Sequence, residues 1–254
     1  MTQADPVELE FPGLPRSGRV FRATRRVRLG DVSPRGRLRL DACVRYLQDI
    51  AHDDAREAAY TDKDGWVVRR TAIRVHAFPV FQEHLGLQTW CGGLGSHWAE
   101  RCTRIEGERG GLIETAALWV HVDLATMAPS KLAEDFLAIA GESAAGRKVG
   151  ARTLLRRRPS ADFTRHPWPL RFSDMDALGH MNNAAYWEAA EEWLGAHRDF
   201  RAPLDAVLEH LEPVMPGREI ATIVEGDDTG TVTIWHESAG RIAATTVLRS
   251  TSTS

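Results

Sequence analysis

Two blocks of this chain repeat each other at a fixed distance, and the repetition limits the fold more than any other feature. Arg28, Asp31, Gly36 and Ala42 recur as Arg171, Asp174, Gly179 and Ala185, each 143 positions later. Beyond them the spacing shortens to 134, which aligns Pro79-Val80-Phe81 with Pro213-Val214-Met215, and alternating apolar residues follow in both copies. Two blocks in the same order, each followed by the same kind of element, point to internal duplication. A length of 254 residues suits one large domain or two ordinary ones, and the duplication selects two related units.

In the first unit the arginine-rich stretch VFRATRRVRL, residues 20–29, is predicted as a strand with Val27 and Leu29 facing inwards. Leu40, Val44, Leu47 and Ala51 recur at steps of four, three and four, the buried stripe of a helix that ends before TDKDG. Residues 67–77, 85–91, 99–105 and 112–124 read as strands, with Gly110-Gly111 as a hairpin turn. The second unit offers strands at 220–224, 231–237 and 242–248, separated by the turns DDTG and SAG. Residues 1–18 read as a flexible lead-in. The stretch 140–160, rich in Gly, Ala, Ser and Arg, reads as a surface linker, which leaves units at 19–139 and 161–249.

Composition narrows the class. Hydrophobic residues at 43% with 26% charged describe a globular chain, and a net charge of −3 gives no global sign of nucleic-acid binding. No apolar run approaches the roughly 20 residues of a membrane span, and MTQADPVELE lacks the apolar core of a signal peptide, so a cytoplasmic protein is expected. Cys43, Cys91 and Cys102 are odd in number without a C-x-x-C pair, which predicts free, mostly buried thiols. P-loop, dinucleotide and G-x-S-x-G motifs are absent from the sequence.

The chemistry concentrates in RFSDMDALGHMNNAAYWEAAEEW, residues 171–193. Asp174, Asp176, His180, Asn182 and Asn183 gather around Gly179. Tyr186, Ala190, Trp193 and His197 then recur at helical steps opposite Glu188, Glu191 and Glu192, which predicts an amphipathic helix starting near Asn182. A helix start carries unpaired N–H groups and the positive end of the peptide dipole, so it stabilises an oxygen that gains negative charge. Taken singly, either asparagine suits a cap, either aspartate a turn, and His180 an ordinary loop position.

Together, D-x-D-x-x-G-H-x-N-N-x-x-Y and the acidic helix after it resemble the active-site loop of hotdog-fold thioesterases. The first-half helix LRLDACVRYLQDIAHDDA and the segment LGLQTWC extend the resemblance to the fatty acyl-ACP thioesterases of plants and bacteria. The resemblance implies an α+β tandem hotdog, in which each half wraps an antiparallel sheet around a central helix. It implies an enzyme that releases a fatty acid from the pantetheine thiol of an acyl carrier protein, without metal or redox cofactor. Acyl-CoA is the alternative substrate, and a homodimer is left open. The family's aspartate falls on Asp176 and its histidine on His180. The family's intervening asparagine falls on Leu178, and its strand carboxylate falls at about Pro213, with Glu212 beside it on the opposite face of a regular strand. On this basis Asp176 attacks the thioester or activates water. His180 assists it, since an imidazole transfers protons near neutral pH. Backbone N–H groups of Met181, Asn182 and Asn183 contact the substrate oxyanion, at about 3 kcal/mol per donor.

The first copy carries Ser33 and Arg37 at the positions of Asp176 and His180, which predicts one active site per chain. Trp66, Trp90 and Trp98 are candidate walls of an acyl pocket. Arg22, Arg25, Arg26 and Arg28, with the linker arginines, are a candidate basic patch for an acidic carrier protein. Two other classes compete: a non-catalytic acyl-binding protein, and a ligand-sensing regulator, for which the sequence offers no helix-turn-helix segment.

Overall fold

The computed structural model describes residues 9–61, 64–155, 158–159, 163–226 and 230–251. Among these residues, ten strands form one sheet. The first half contributes β1 (Phe21–Arg26), β2 (Gly65–Ala77), β3 (His84–Leu94), β4 (Trp98–Gly107) and β5 (Leu112–Val122). The second contributes β6 (His166–Trp168), β7 (Leu204–His210), β8 (Ile220–Gly226), β9 (Thr231–Ser238) and β10 (Arg241–Ser250). Their order is β1-β3-β4-β5-β2-β7-β10-β9-β8-β6. Read inwards from either edge, the two halves follow the same path, and every strand pairing is antiparallel. The halves join where β2 pairs with β7, from Arg70 opposite Glu209 to Val75 opposite Leu204.

The long helix α1 (Leu40–Glu57) and its shorter counterpart α3 (Trp187–Ala196) lie side by side on one face of this sheet. Leu40, Val44 and Leu47 of the predicted stripe are buried, as are Ala42, Cys43, Tyr46 and Ile50. The buried face is wider than one stripe because α1 meets the sheet on one side and α3 on another. A third helix, α2 (Glu134–Ala140), follows β5. The fold is therefore a tandem hotdog, each half a sheet around its own helix.

Several elements differ from expectation. The first strand ends at Arg26, and Leu29 faces solvent because residues 29–31 form a one-turn 3-10 helix. Helix α2 and strands β6 and β7 lie outside the elements expected from the sequence. Strand β7 is buried from Leu204 to Glu209 because α1 and α3 cover one face of the central sheet while Leu9, Phe11 and Leu155 pack on the other, against Ala72 and Val207. A strand covered on both faces lacks the alternation that marks a half-exposed one. The same contacts pin down part of the lead-in and of the linker, whose Leu154 and Leu155 N–H groups donate to the buried Glu209 carboxylate. All three cysteines are free, with Cys43 and Cys102 buried. The SAG turn is present, with Ala239 and Gly240 both at positive φ, whereas most of the DDTG turn lies outside the described residues. So do Arg156 and Arg157 of the arginine run.

Candidate active site

The loop between β6 and α3 is built by its own backbone and by carbonyls from neighbouring segments. Arg171 to Asp174 close a 3-10 turn, in which the Arg171 N–H donates to Asp174 Oδ2 at 2.7 Å and the Asp174 N–H donates to the Arg171 carbonyl at 3.1 Å. The Arg171 guanidinium also holds the buried Asp174 carboxylate, so this aspartate organises the turn. Residues 176 to 180 then form a tight loop. The Asp176 N–H donates to the His180 carbonyl at 3.0 Å, and Gly179, at φ +85°, allows the chain to reverse.

Asp176 Oδ1 accepts the Leu178 N–H at 2.8 Å, and Oδ2 faces His180 Nδ1 at 3.4 Å, longer than a usual hydrogen bond. Both side chains reach solvent, His180 at 32% and Asp176 at 17% exposure. The structure therefore places the carboxylate and the imidazole together. Leu178 is 79% exposed beside them. Glu212 points elsewhere and pairs with Arg241 at 3.0 Å, so it does not replace a carboxylate at Pro213.

The expected N–H donors are not equivalent. The Met181 N–H donates to the Val214 carbonyl and the Asn182 N–H to the Asp174 carbonyl, both at 2.8 Å. Among the described residues the Asn183 N–H has no acceptor. Helix α3 also begins at Trp187, later than expected. The Asn182 side chain caps the Ala184 N–H at 2.8 Å, and 3-10 bonds from Ala185, Trp187 and Glu188 carry the chain into the helix.

The first half repeats the main backbone bonds of this loop. Ser33 N–H donates to the Arg37 carbonyl as Asp176 does to His180, and Gly36 matches Gly179 at φ +80°. Ser33 Oγ even accepts the Arg35 N–H at 3.3 Å, where Asp176 accepts Leu178. Leu38 N–H donates to the Pro79 carbonyl as Met181 does to Val214, so the spacing after the helices is 135 rather than 134. The architecture is duplicated. The acid and the imidazole are not, because Arg37 is turned away onto Glu191.

A cavity of about 330 Å³ lies in the first half, enclosed by α1, α2 and the sheet. Trp66, Trp90, Trp119 and Phe136 form aromatic walls, and Ala51 and Ala55 of α1 leave the space open. Trp98 is not part of it and donates its indole N–H to the Val149 carbonyl. A second hollow of about 20 Å³ shares Gln48, Arg101 and Trp119 with the cavity and reaches Asn183. Asn183, on the loop of one half, thus shares a hollow with residues that line the cavity of the other.

Beneath the loop lie two groups that sequence reading missed. Tyr186 stands edge-on to both His210 and His236, with ring centroids 5.0 and 5.3 Å away. Burial lowers His210 to about 3, helped by the neighbouring charges of His236, Arg69 and His180, and burial alone lowers His236 to about 4. Both imidazoles are neutral at physiological pH. Only the alignment of His210 and His236 across Ala244, on three adjacent strands, would have revealed them.

Residues 18–140 match the acyl-ACP thioesterase N-terminal domain model, and residues 157–252 match the C-terminal domain model. The chain belongs to the acyl-ACP thioesterase family. It is a thioester hydrolase. An uncharacterised Mycobacterium tuberculosis protein is 31% identical over 223 residues, covering 87% of this chain and 89% of that one. The dodecanoyl-[acyl-carrier-protein] hydrolase of Cinnamomum camphora is 24% identical over 190 residues, 66% of this chain and 49% of the plant protein. In fold, this family member is similar to an acyl-ACP thioesterase of Bacteroides thetaiotaomicron, with TM-score 0.77 and 16% identity over 91% of this chain and 97% of that one. The 12:0-ACP thioesterase of Umbellularia californica superimposes with TM-score 0.73 and 17% identity, over 91% and 96% of the two chains. Among the described residues, no helix of this thioesterase is long and apolar enough to cross a membrane, and no three His, Cys, Asp or Glu side chains stand close enough to share a metal ion.

Proposed function

We propose that the chain hydrolyses acyl-ACP thioesters and releases the free fatty acid, with the chemistry confined to the second half. The observation that carries this is the pairing of Asp176 with His180 on a loop whose duplicate holds Ser33 and Arg37. Asp176 serves as general base for water or as nucleophile, and His180 assists it. The Asn183 N–H meets the developing oxyanion. Met181 and Asn182 act differently: they hold the loop to Val214 and Asp174 and present Asn183. The acyl chain lies in the aromatic cavity of the first half, which is at the small end of the range of about 300–1,000 Å³ for ligand pockets. That size favours a medium-length chain over a long one.

The test is hydrolysis by the purified protein of matched acyl-ACP and acyl-CoA series, with Asp176→Asn as control. We expect ACP thioesters to be preferred. Each added methylene should raise kcat/KM about fourfold until the cavity is full, as follows from about 0.8 kcal/mol per buried CH₂. Asp176→Asn should lose at least about 100-fold in kcat, the scale of deleting a general base. A second reading, a non-catalytic acyl-thioester-binding protein, draws on Leu178 and Pro213, where the family carries polar groups. Tight acyl-ACP binding without turnover would establish it instead.

A further inference from the structure

The two loops share a backbone pattern, so a contact in one can be compared with the matching position in the other. Leu40 and Asn183 are 143 positions apart, as are Gln48 and Glu191. In the first half the Leu40 N–H donates to Glu191 Oε1 at 2.7 Å. The same carboxylate accepts two bonds from Arg37, at 3.0 and 2.9 Å. Glu191 belongs to α3, so the second half supplies the anion that fills the first half's loop. This position, at the start of a helix, holds negatively charged oxygen.

In the second half the roles are exchanged. There α1 of the first half supplies Gln48, a neutral amide, whose Nε2 donates to Asn182 Oδ1 at 3.3 Å. That bond turns the donor end of the amide towards the loop and leaves one Nε2 hydrogen over. The Asn183 N–H, the counterpart of Leu40, has no acceptor among the described residues. Gln48 and Asn183 both line the hollow of about 20 Å³, room for one oxygen-sized group, and Gln48 also lines the acyl cavity.

We propose that Gln48 is a catalytic residue. Resting on the reading of Asp176 as base or nucleophile, its amide N–H joins the Asn183 N–H in holding the thioester oxygen as it becomes an oxyanion. That oxygen takes the place that a Glu191 oxygen holds in the first half. For attack by water, Asp176 takes a water proton, the new C–O bond forms, and the carbonyl electron pair moves onto the oxygen held by Gln48 and Asn183. On collapse the pair returns, the C–S bond breaks, and the sulfur leaves with the proton. Thioester and water give acid and thiol. A carboxylate at position 48 would defeat this step, because it would accept the Asn183 N–H itself and repel the forming charge.

The test compares Gln48→Met, Gln48→Glu and Asp176→Asn in the full chain, measuring kcat, KM and melting temperature on the preferred acyl-ACP. Gln48→Met preserves side-chain volume and should lower kcat by about 100-fold or more, the usual effect of deleting one oxyanion donor, with KM little changed. Gln48→Glu should lower kcat at least as far, because its carboxylate accepts the Asn183 N–H, repels the forming charge and faces the Asn182 Oδ1 acceptor. If both Gln48 variants keep kcat and only raise KM, Gln48 is a cavity wall and the proposal fails, even with Asp176→Asn inactive. If Asp176→Asn retains full turnover, the underlying reading falls and takes this one with it. Should Gln48→Met not fold, Gln48→Glu decides.

Discussion

Asp176 holds its loop with one oxygen and faces His180 with the other, so the turn and the proposed chemistry share a side chain. Asparagine keeps Oδ1 as an acceptor for the Leu178 N–H, so Asp176→Asn isolates the loss of basicity from the loss of the turn. Leu178 contributes its backbone to that bond and leaves its side chain in solvent. We therefore expect Leu178→Asn to shift stability by no more than about 0.5 kcal/mol, as exposed substitutions do, and to leave kcat unchanged or raise it. His180→Ala should lower kcat by less than Asp176→Asn, because the imidazole assists a carboxylate already in place. Steady-state rates beside thermal melts check both. At this scale the sequence was half legible. The approach of Asp176 to His180 was readable from type and spacing, but which of Met181, Asn182 and Asn183 has a free N–H depends on the carbonyls of Val214 and Asp174, and spacing within the loop does not reveal that.

Elements were legible where one face is wet. Strand β3 opens with alternating exposed and buried residues, His84 to Leu87, and was readable, whereas β7, buried from Leu204 to Glu209, does not look like a central strand until the segments that cover it are known. Its last residue, His210, and His236 on β9 flank Ala244 of β10, and among the described residues neither His210 Nε2 nor either nitrogen of His236 has a hydrogen-bond partner. The pH dependence follows from their depressed values. Unfolded histidine titrates near 6.5, while folded His236 stays neutral down to about 4. Between those values the unfolded chain binds the extra proton, so stability is fully present above pH 6.5 and is lost as pH falls, by at most about 1.4 kcal/mol per pH unit for each histidine. His236→Phe removes one of these groups. Chemical denaturation at a series of pH values should show a shallower acid slope for that variant, and an unchanged slope would place the titrating groups elsewhere.

For the whole molecule, duplication was visible in the chain, but the exchange of parts was not: each loop is completed by a helix of the other half, Glu191 for the first and Gln48 for the second. Such an arrangement works only if the halves keep a fixed position, and the β2–β7 seam supplies it. Across that seam Arg74 forms two bonds to Asp205, 2.7 and 2.8 Å, and stacks on Phe11 of the lead-in with its guanidinium 4.6 Å from the ring centre. Asp205 is 8% exposed, so Arg74→Met leaves a buried carboxylate without its partner. The cost should be about 1–3 kcal/mol, below the range for a fully buried pair because a third of Arg74 reaches solvent. The same variant should lower kcat, since loosening the seam lets Gln48 drift from Asn183. A buried ion pair owes much of its apparent strength to the penalty of breaking it, so the double variant Arg74→Met/Asp205→Leu, apolar on both strands, should recover most of the lost stability. If it recovers kcat as well, the seam acts by holding position. Recovery of stability without kcat would mean that the Arg74–Asp205 pair sets the angle between the halves and does more than close the gap.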